Sequence, residues 1–272
     1  MRKAILIVTL TLLTIFAIAQ DTIRLSPYVG KLKTMKVFIG EKQYSFLFDT
    51  GGGETFISPE IAATLNKIPY SKLYGTRMNG EAIFYQKCDS IYLNLGATTI
   101  FHSTLGVWDI MIVLPKELPK IDGIISLKTF RNKIISLDLD HNKIVIETPK
   151  TYSRKVKNMA ALQSRFASGP SGNELTLFLG TKHNKRVYWF LFDSGNLKGF
   201  IFSPQTAYEW GLQADTVSIE KKYETEIALG SKRYNVSIVT EKIIYEGAID
   251  YDFIAQRIYF IDLIKNQVYV NP

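Results

Sequence analysis

Cysteine is almost absent from this chain of 272 residues: Cys88 stands alone, so no internal disulfide can form and packing alone must hold the core together. It has no base beside it in sequence and reads as a buried or spare thiol, not a nucleophile. Histidine is nearly as scarce. His102, His141 and His183 lie far apart without short ligand spacing, so no metal site is expected and each reads as a surface or turn residue, His141 within Asp140-His141-Asn142. Gly51-Gly52-Gly53 follows an apolar run but lacks the lysine and hydroxyl pair of a phosphate-binding loop, and no cofactor is expected. Charge is not concentrated either. The formal net charge of +8 is spread thinly, apart from Arg154, Lys155 and Lys157, which suits solubility or weak attraction to acidic surfaces and excludes a nucleic-acid footprint. After residue 19 no apolar run reaches the roughly 20 residues a membrane span takes.

What is present begins with residues 1–19: a basic start at Arg2 and Lys3, an apolar run from Ala4 to Ala17, and Ala17-Ile18-Ala19 before Gln20. This pattern predicts a signal peptide cleaved near Ala19/Gln20, with export to the periplasm or the medium and no stable membrane insertion afterwards; the alternative is an uncleaved anchor. The remainder has a globular composition, 46% hydrophobic and 12% aromatic over the whole chain, and suffices for one large or two small domains.

One stretch occurs twice, YSFLFDTGGGETFISP from Tyr44 to Pro59 and YWFLFDSGNLKGFIFSP from Tyr188 to Pro204. In each, Phe-Leu-Phe reads as a buried strand that delivers an aspartate, Asp49 or Asp193, to its end. A hydroxyl residue follows (Thr50, Ser194), able to bond across to the other copy, and then a glycine (Gly51, Gly195) that lets backbone amides turn back onto the carboxylate. Two such copies related by a twofold axis would bring two carboxyls into contact, where they share a proton.

The match extends in both directions. Met35 to Ile39 and Tyr44 to Phe48 form a hairpin, repeated by Leu175 to Leu179, a longer turn from Gly180 to Arg186, and Val187 to Phe192. Pro59 and Pro204 each open a short helix. Each half closes alike: Asp122 to Ile146 aligns without a gap to Glu246 to Val270, both running acid, glycine, two apolar residues, a helical turn and two strands. The first half also carries a hairpin absent in that form from the second, with Tyr74-Gly75-Thr76, a turn at Asn79-Gly80 and a return through Tyr85.

The paired triplets and paired closures resemble the aspartic peptidases, pepsin-like and retropepsin-like, and the chain is similar to a single-chain, bilobed bacterial-type retropepsin over nearly its whole length after residue 19. The resemblance implies an all-β acid-protease fold of two pseudo-twofold-related, small barrel-like lobes with a cleft between them. Residues 20–148 would form the first lobe with its flap, 149–171 an exposed linker and 172–272 the second lobe. It implies catalytic Asp49 and Asp193 supported by Thr50, Gly51, Ser194 and Gly195, a flap placing Tyr74, Gly75 and Thr76 over the substrate, and closing segments in which Asp122, Gly123, Glu246 and Gly247 cross behind the catalytic loops. The implied activity is that of an exported, monomeric endopeptidase hydrolysing a peptide or protein substrate with a water held between the carboxyls. The chain departs from the pepsin-like pattern at the third residue after each aspartate, where Gly52 and Asn196 replace serine or threonine. The alternative is a catalytically silent module of the same fold that grips a peptide or an envelope component.

Overall fold

The computed structural model describes residues 21–169, 172–212 and 222–271. The signal peptide read at residues 1–19 lies outside the described residues. Among those described, no helix is long and apolar enough to cross a membrane.

The fold is all-β and bilobed, as the repeat predicts. The first unit runs β1 (Asp21–Pro27), β2 (Lys33–Ile39), β3 (Lys42–Phe48), β4 (Phe56–Ile57), β5 (Tyr70–Thr76), β6 (Ala82–Leu95), β7 (Thr98–Val107), β8 (Gly123–Ile125), β9 (Ile134–Asp138) and β10 (Lys143–Glu147). The second runs β11 (Ala160–Leu162), β12 (Ser164–Ala167), β13 (Thr176–His183), β14 (Arg186–Phe192), β15 (Phe200–Phe202), β16 (Tyr223–Leu229), β17 (Lys232–Thr240), β18 (Gly247–Ile249), β19 (Tyr259–Asp262) and β20 (Gln267–Val270). Hydrogen bonding follows β2-β3-β8-β4-β7-β6 and returns to β2; in the second unit β13-β14-β18-β15-β17-β16 returns to β13. These are two barrels of the same plan.

The registers repeat as well. Phe46, Leu47 and Phe48 lie parallel to Gly123, Ile124 and Ile125, as Phe190, Leu191 and Phe192 lie parallel to Gly247, Ala248 and Ile249. After each central strand, a serine Oγ (Ser58, Ser203) accepts an amide of the first helical turn and a proline fixes its start, so α1 (Pro59–Thr64) has its counterpart in a later helix, Pro204–Glu209. The units join edge to edge: β9 pairs antiparallel with β19, Leu137 opposite Tyr259 and Ile134 opposite Asp262.

The stretch 149–171, read as an exposed linker, contains α2 (Pro149–Lys155) and the two short strands β11 and β12. β11 pairs with β20 and β12 with β13. β1 does the same alone, pairing with β10 through Asp21 to Arg24 and with β2 through Leu25 to Pro27. The duplication therefore reaches further back than the aspartate hairpin, and it is hidden because Gln163 splits this strand into two short pieces, Ala160–Leu162 and Ser164–Ala167.

Two smaller expectations also need correcting. The turn expected from Gly180 to Arg186 is tighter, since β13 continues to His183 and the chain reverses at Asn184, whose φ is +53°. His102 is not a surface residue. It follows Ile100 by two positions on β7, so the strand alternation that exposes Phe101 turns His102 inward, where burial and the charge of Lys128 lower its pKa to about 4. Cys88 is buried, and burial pushes its thiol up to about 11, which leaves it unreactive.

Candidate functional site

Each aspartate sits where a buried strand ends, the Asp49 amide still bonded to the Ile125 carbonyl at 3.0 Å. The chain then turns so sharply that the second following amide points back: Gly51 N–H donates to Asp49 Oδ1 at 2.9 Å and Gly195 N–H to Asp193 Oδ1 at 2.8 Å. The hydroxyl residues lock the two turns together. Thr50 Oγ1 donates to the Phe192 carbonyl at 2.8 Å and accepts from the Ser194 amide at 2.9 Å, while Ser194 Oγ accepts from the Thr50 amide at 3.0 Å. Glycine is required beside them, because a Cβ on Gly51 would stand 2.4 Å from the carboxyl carbon of Asp193, and one on Gly195 3.0 Å from Asp49 Oδ1.

Asp49 and Asp193 thus share the floor of a cavity of about 350 Å³ lined from both units. Burial raises the pKa of both. Asp193 rises further, because the charge of Asp49 also opposes its ionisation, whereas the anion of Asp49 is favoured by the amides of Gly51, Gly52 and Gly195. The two carboxyls share one proton rather than both ionising. Neither outer oxygen meets a side-chain hydroxyl at the third following position. Gly52 has none, and Asn196 spends its side chain on its own loop, donating from Nδ2 to the Gly199 carbonyl at 2.9 Å and accepting from the Lys198 amide at 3.0 Å.

A carboxyl whose pKa is raised in the folded state weakens folding above its ordinary value, 3.8 for aspartate; the cost is absent below that pH and grows as pH rises towards the folded value. Asp193→Asn should therefore melt at a higher temperature than the unaltered protein at pH 7 and at the same temperature at pH 3. Each unit of raised pKa corresponds to about 1.4 kcal/mol. Thermal melts at the two pH values check this, and a variant that melts lower at pH 7 contradicts it.

The closing segments support the floor from behind. Asp122 accepts the Ser45 amide at 2.9 Å through Oδ2, and Glu246 accepts the Trp189 amide at 2.5 Å through Oε2. Each acid thereby ties its glycine, Gly123 or Gly247, under the strand that carries the aspartate.

The hairpin β5–β6 roofs the cavity, Tyr74 opposite Phe84 and Thr76 opposite Ala82. Gly80, with φ +88°, closes its tip. The tip reaches the second unit: Ile244 N–H donates to the Met78 carbonyl at 3.0 Å, and Met78 packs with Leu191, Ile201 and Val239. Of the expected flap residues, Gly75 and Thr76 line the cavity, whereas Tyr74 does not and is 47% exposed. Strand alternation turns Tyr85, on the returning strand, inward instead. Trp108 joins it in the lining, while Phe84 stays outside, 61% exposed.

The sequence reading missed Glu54, Glu174, Phe56 and Tyr245, all of which line the cavity. The first and third follow Asp49 by five and seven positions, so proximity to the triplet was their only signal; Glu174 and Tyr245 are brought in by the duplication.

The chain is similar in fold to conglutin gamma, a basic 7S globulin from lupine seeds, at 10% identity and a TM-score of 0.56, over 93% of this chain and 95% of that one. It is similar likewise to the basic 7S globulin from soybean, at 8% identity and a TM-score of 0.59, over 93% and 96%. No family model and no curated protein matches the sequence. These neighbours correct the resemblance to a bacterial-type retropepsin, and with it the expected endopeptidase, aspartyl protease and hydrolase activity: both of these similar structures are described as globulins, not peptidases. The physical reason lies in the triplets. Their hydroxyls and glycines build the seam between the two units whether or not any bond is cut, so they report fold and not turnover.

Proposed function

We propose that the chain is a binding module that holds an extended peptide segment in the cleft beneath its flap and releases it uncut. The observation that carries this reading is the cavity itself, floored by Asp49 and Asp193, roofed by Gly75, Thr76 and Met78, and lined by both units. A volume of about 350 Å³ lies within the range of small-ligand pockets. A carboxyl pair sharing one proton offers a donor and several acceptors at one point, which suits the carbonyl and amide of a peptide bond. Flap backbone at the roof can add bonds to an extended chain.

The pair lacks the side-chain hydroxyls that the pepsin-like pattern places beside its outer oxygens, since Gly52 has no side chain and Asn196 is engaged with Gly199 and Lys198, and this departure favours holding over cutting. The fold shared with the basic 7S globulins is consistent with that use.

The test is titration of a mixed set of extended peptides against the protein by fluorescence anisotropy, followed by mass spectrometry of the recovered peptides across pH 3 to 8. Saturable binding is expected, with peptides recovered intact and affinity lowered about tenfold to a hundredfold by Asp193→Ala, as for loss of a hydrogen bond to a charged group. Fragments that disappear with Asp49→Asn, or retention of no peptide at all, overturn the reading.

A further inference from the structure

Beside the aspartate pair the cavity has a second polar end. Glu54 is 3% exposed and lines the cavity. Its Oε1 is occupied by the Lys128 ammonium and by the Thr55 amide at 2.9 Å, while Oε2 is buried without a hydrogen-bond partner. Glu174, from the second unit, packs beside Gly53, the chain neighbour of Glu54. The Leu175 amide donates to the Gly53 carbonyl at 2.8 Å, and a Cβ on Gly53 would lie 3.1 Å from the Glu174 Cβ. Glu174 also lines the cavity, and its Oε1 accepts the Tyr85 hydroxyl at 2.9 Å. The approach is aromatic: Phe56 stands edge-on to Tyr85 with centroids 5.1 Å apart and tilted against Trp108 at 5.6 Å.

A buried carboxylate oxygen without a partner is costly, and a cation supplied by a ligand removes that cost. The cations already near Glu54 are Lys128 and Lys87, and neither lines the cavity. Arg77 does line it, but pairs with Glu81 at 3.0 Å. Aromatic walls leading to an acidic end match a side chain with a long apolar stem and a positive tip, the stem against the rings and the charge beyond them. We infer that the cleft selects peptides carrying a lysine or arginine, whose side chain passes between Phe56, Tyr85 and Trp108 and ends on Oε2 of Glu54, with Glu174 beside it. This rests on the peptide-holding reading and adds to it the class of sequence held.

The experiment is a peptide set in which each position in turn carries lysine, arginine, norleucine or glutamate, titrated against the unaltered full chain. Lysine and arginine should bind at least about tenfold more tightly than norleucine at one position, and glutamate there should bind most weakly. Glu54→Gln should reduce the ratio of lysine-peptide to norleucine-peptide affinity about fivefold or more. Because Glu54→Gln leaves Lys128 buried without its partner, Glu174→Gln is measured beside it with the same expectation of a reduced preference. Norleucine binding as well as lysine at every position overturns this inference alone and leaves peptide holding intact. Retention of no peptide overturns both.

Discussion

Replacing Gly123 with alanine should prevent the first unit from folding. A Cβ at that position would stand 2.3 Å from the Phe46 ring and 2.3 Å from the Phe56 carbonyl oxygen. Neither can retreat: β8 is hydrogen-bonded to β3 on one side and to β4 on the other, and Phe46 is fully buried. Overpacking by one methyl costs about 1–3 kcal/mol where neighbours can shift. Here one obstacle is backbone, so the cost should exceed about 3 kcal/mol, a large part of the 5–15 kcal/mol by which domains are stable. The measurement is soluble yield together with urea denaturation followed by circular dichroism. Gly247→Ala should do less harm, because its nearest atoms, the Ile201 carbonyl and the Phe190 ring, lie at 2.7 Å. An unchanged urea midpoint for Gly123→Ala would mean that the closing strand is not pinned as described.

Lys128→Met should cost about 3–5 kcal/mol at pH 7, the usual result of leaving a buried charge without its partner. The side chains of Lys128 and Glu54 are 10% and 2% exposed, and burial alone already pushes Glu54 up and Lys128 down. Each needs the other to remain charged. Without the ammonium, Glu54 must take up a proton on folding, which costs nothing below the ordinary glutamate value of 4.5 and progressively more above it. The deficit should therefore shrink towards pH 4, and Glu54→Gln in the same chain should restore most of it at pH 7. Melting temperatures of the single and double variants at both pH values decide the point; a deficit that does not change with pH would assign the loss to packing.

Much of this architecture is legible in the amino-acid order because it occurs twice. Phe46 to Asp49 and Phe190 to Asp193 identify each other, as do the serine-proline helix starts and the two closures, and all of them fold as read. What is written once is harder to read. The strand pieces 160–162 and 164–167 are too short to carry an alternation, so they pass for a connector. Tyr74 is drawn towards the cleft by its position before Gly75-Thr76, but the pleat assigns the inward place to Tyr85. His102 stands in phase with Ile100, a signal present in the order but outweighed by the polarity of the residue. The acids at 54 and 174 come to one cavity only through the pairing of the two units, a relation that no local pattern contains. Activity is the furthest removed, because a triplet needed to join two barrels is the same triplet whether or not water is activated there.

Among the described residues, the flap tip is tied to the far side of the cleft by the bond from Ile244 N–H to the Met78 carbonyl and by the packing of half-buried Met78 against apolar neighbours. For a peptide held as proposed, entry would require this tie to open first. Were that opening slow, association at high peptide concentration would be limited by the hinge and not by collision, and the reclosed latch would lengthen the dwell time of a peptide beneath it.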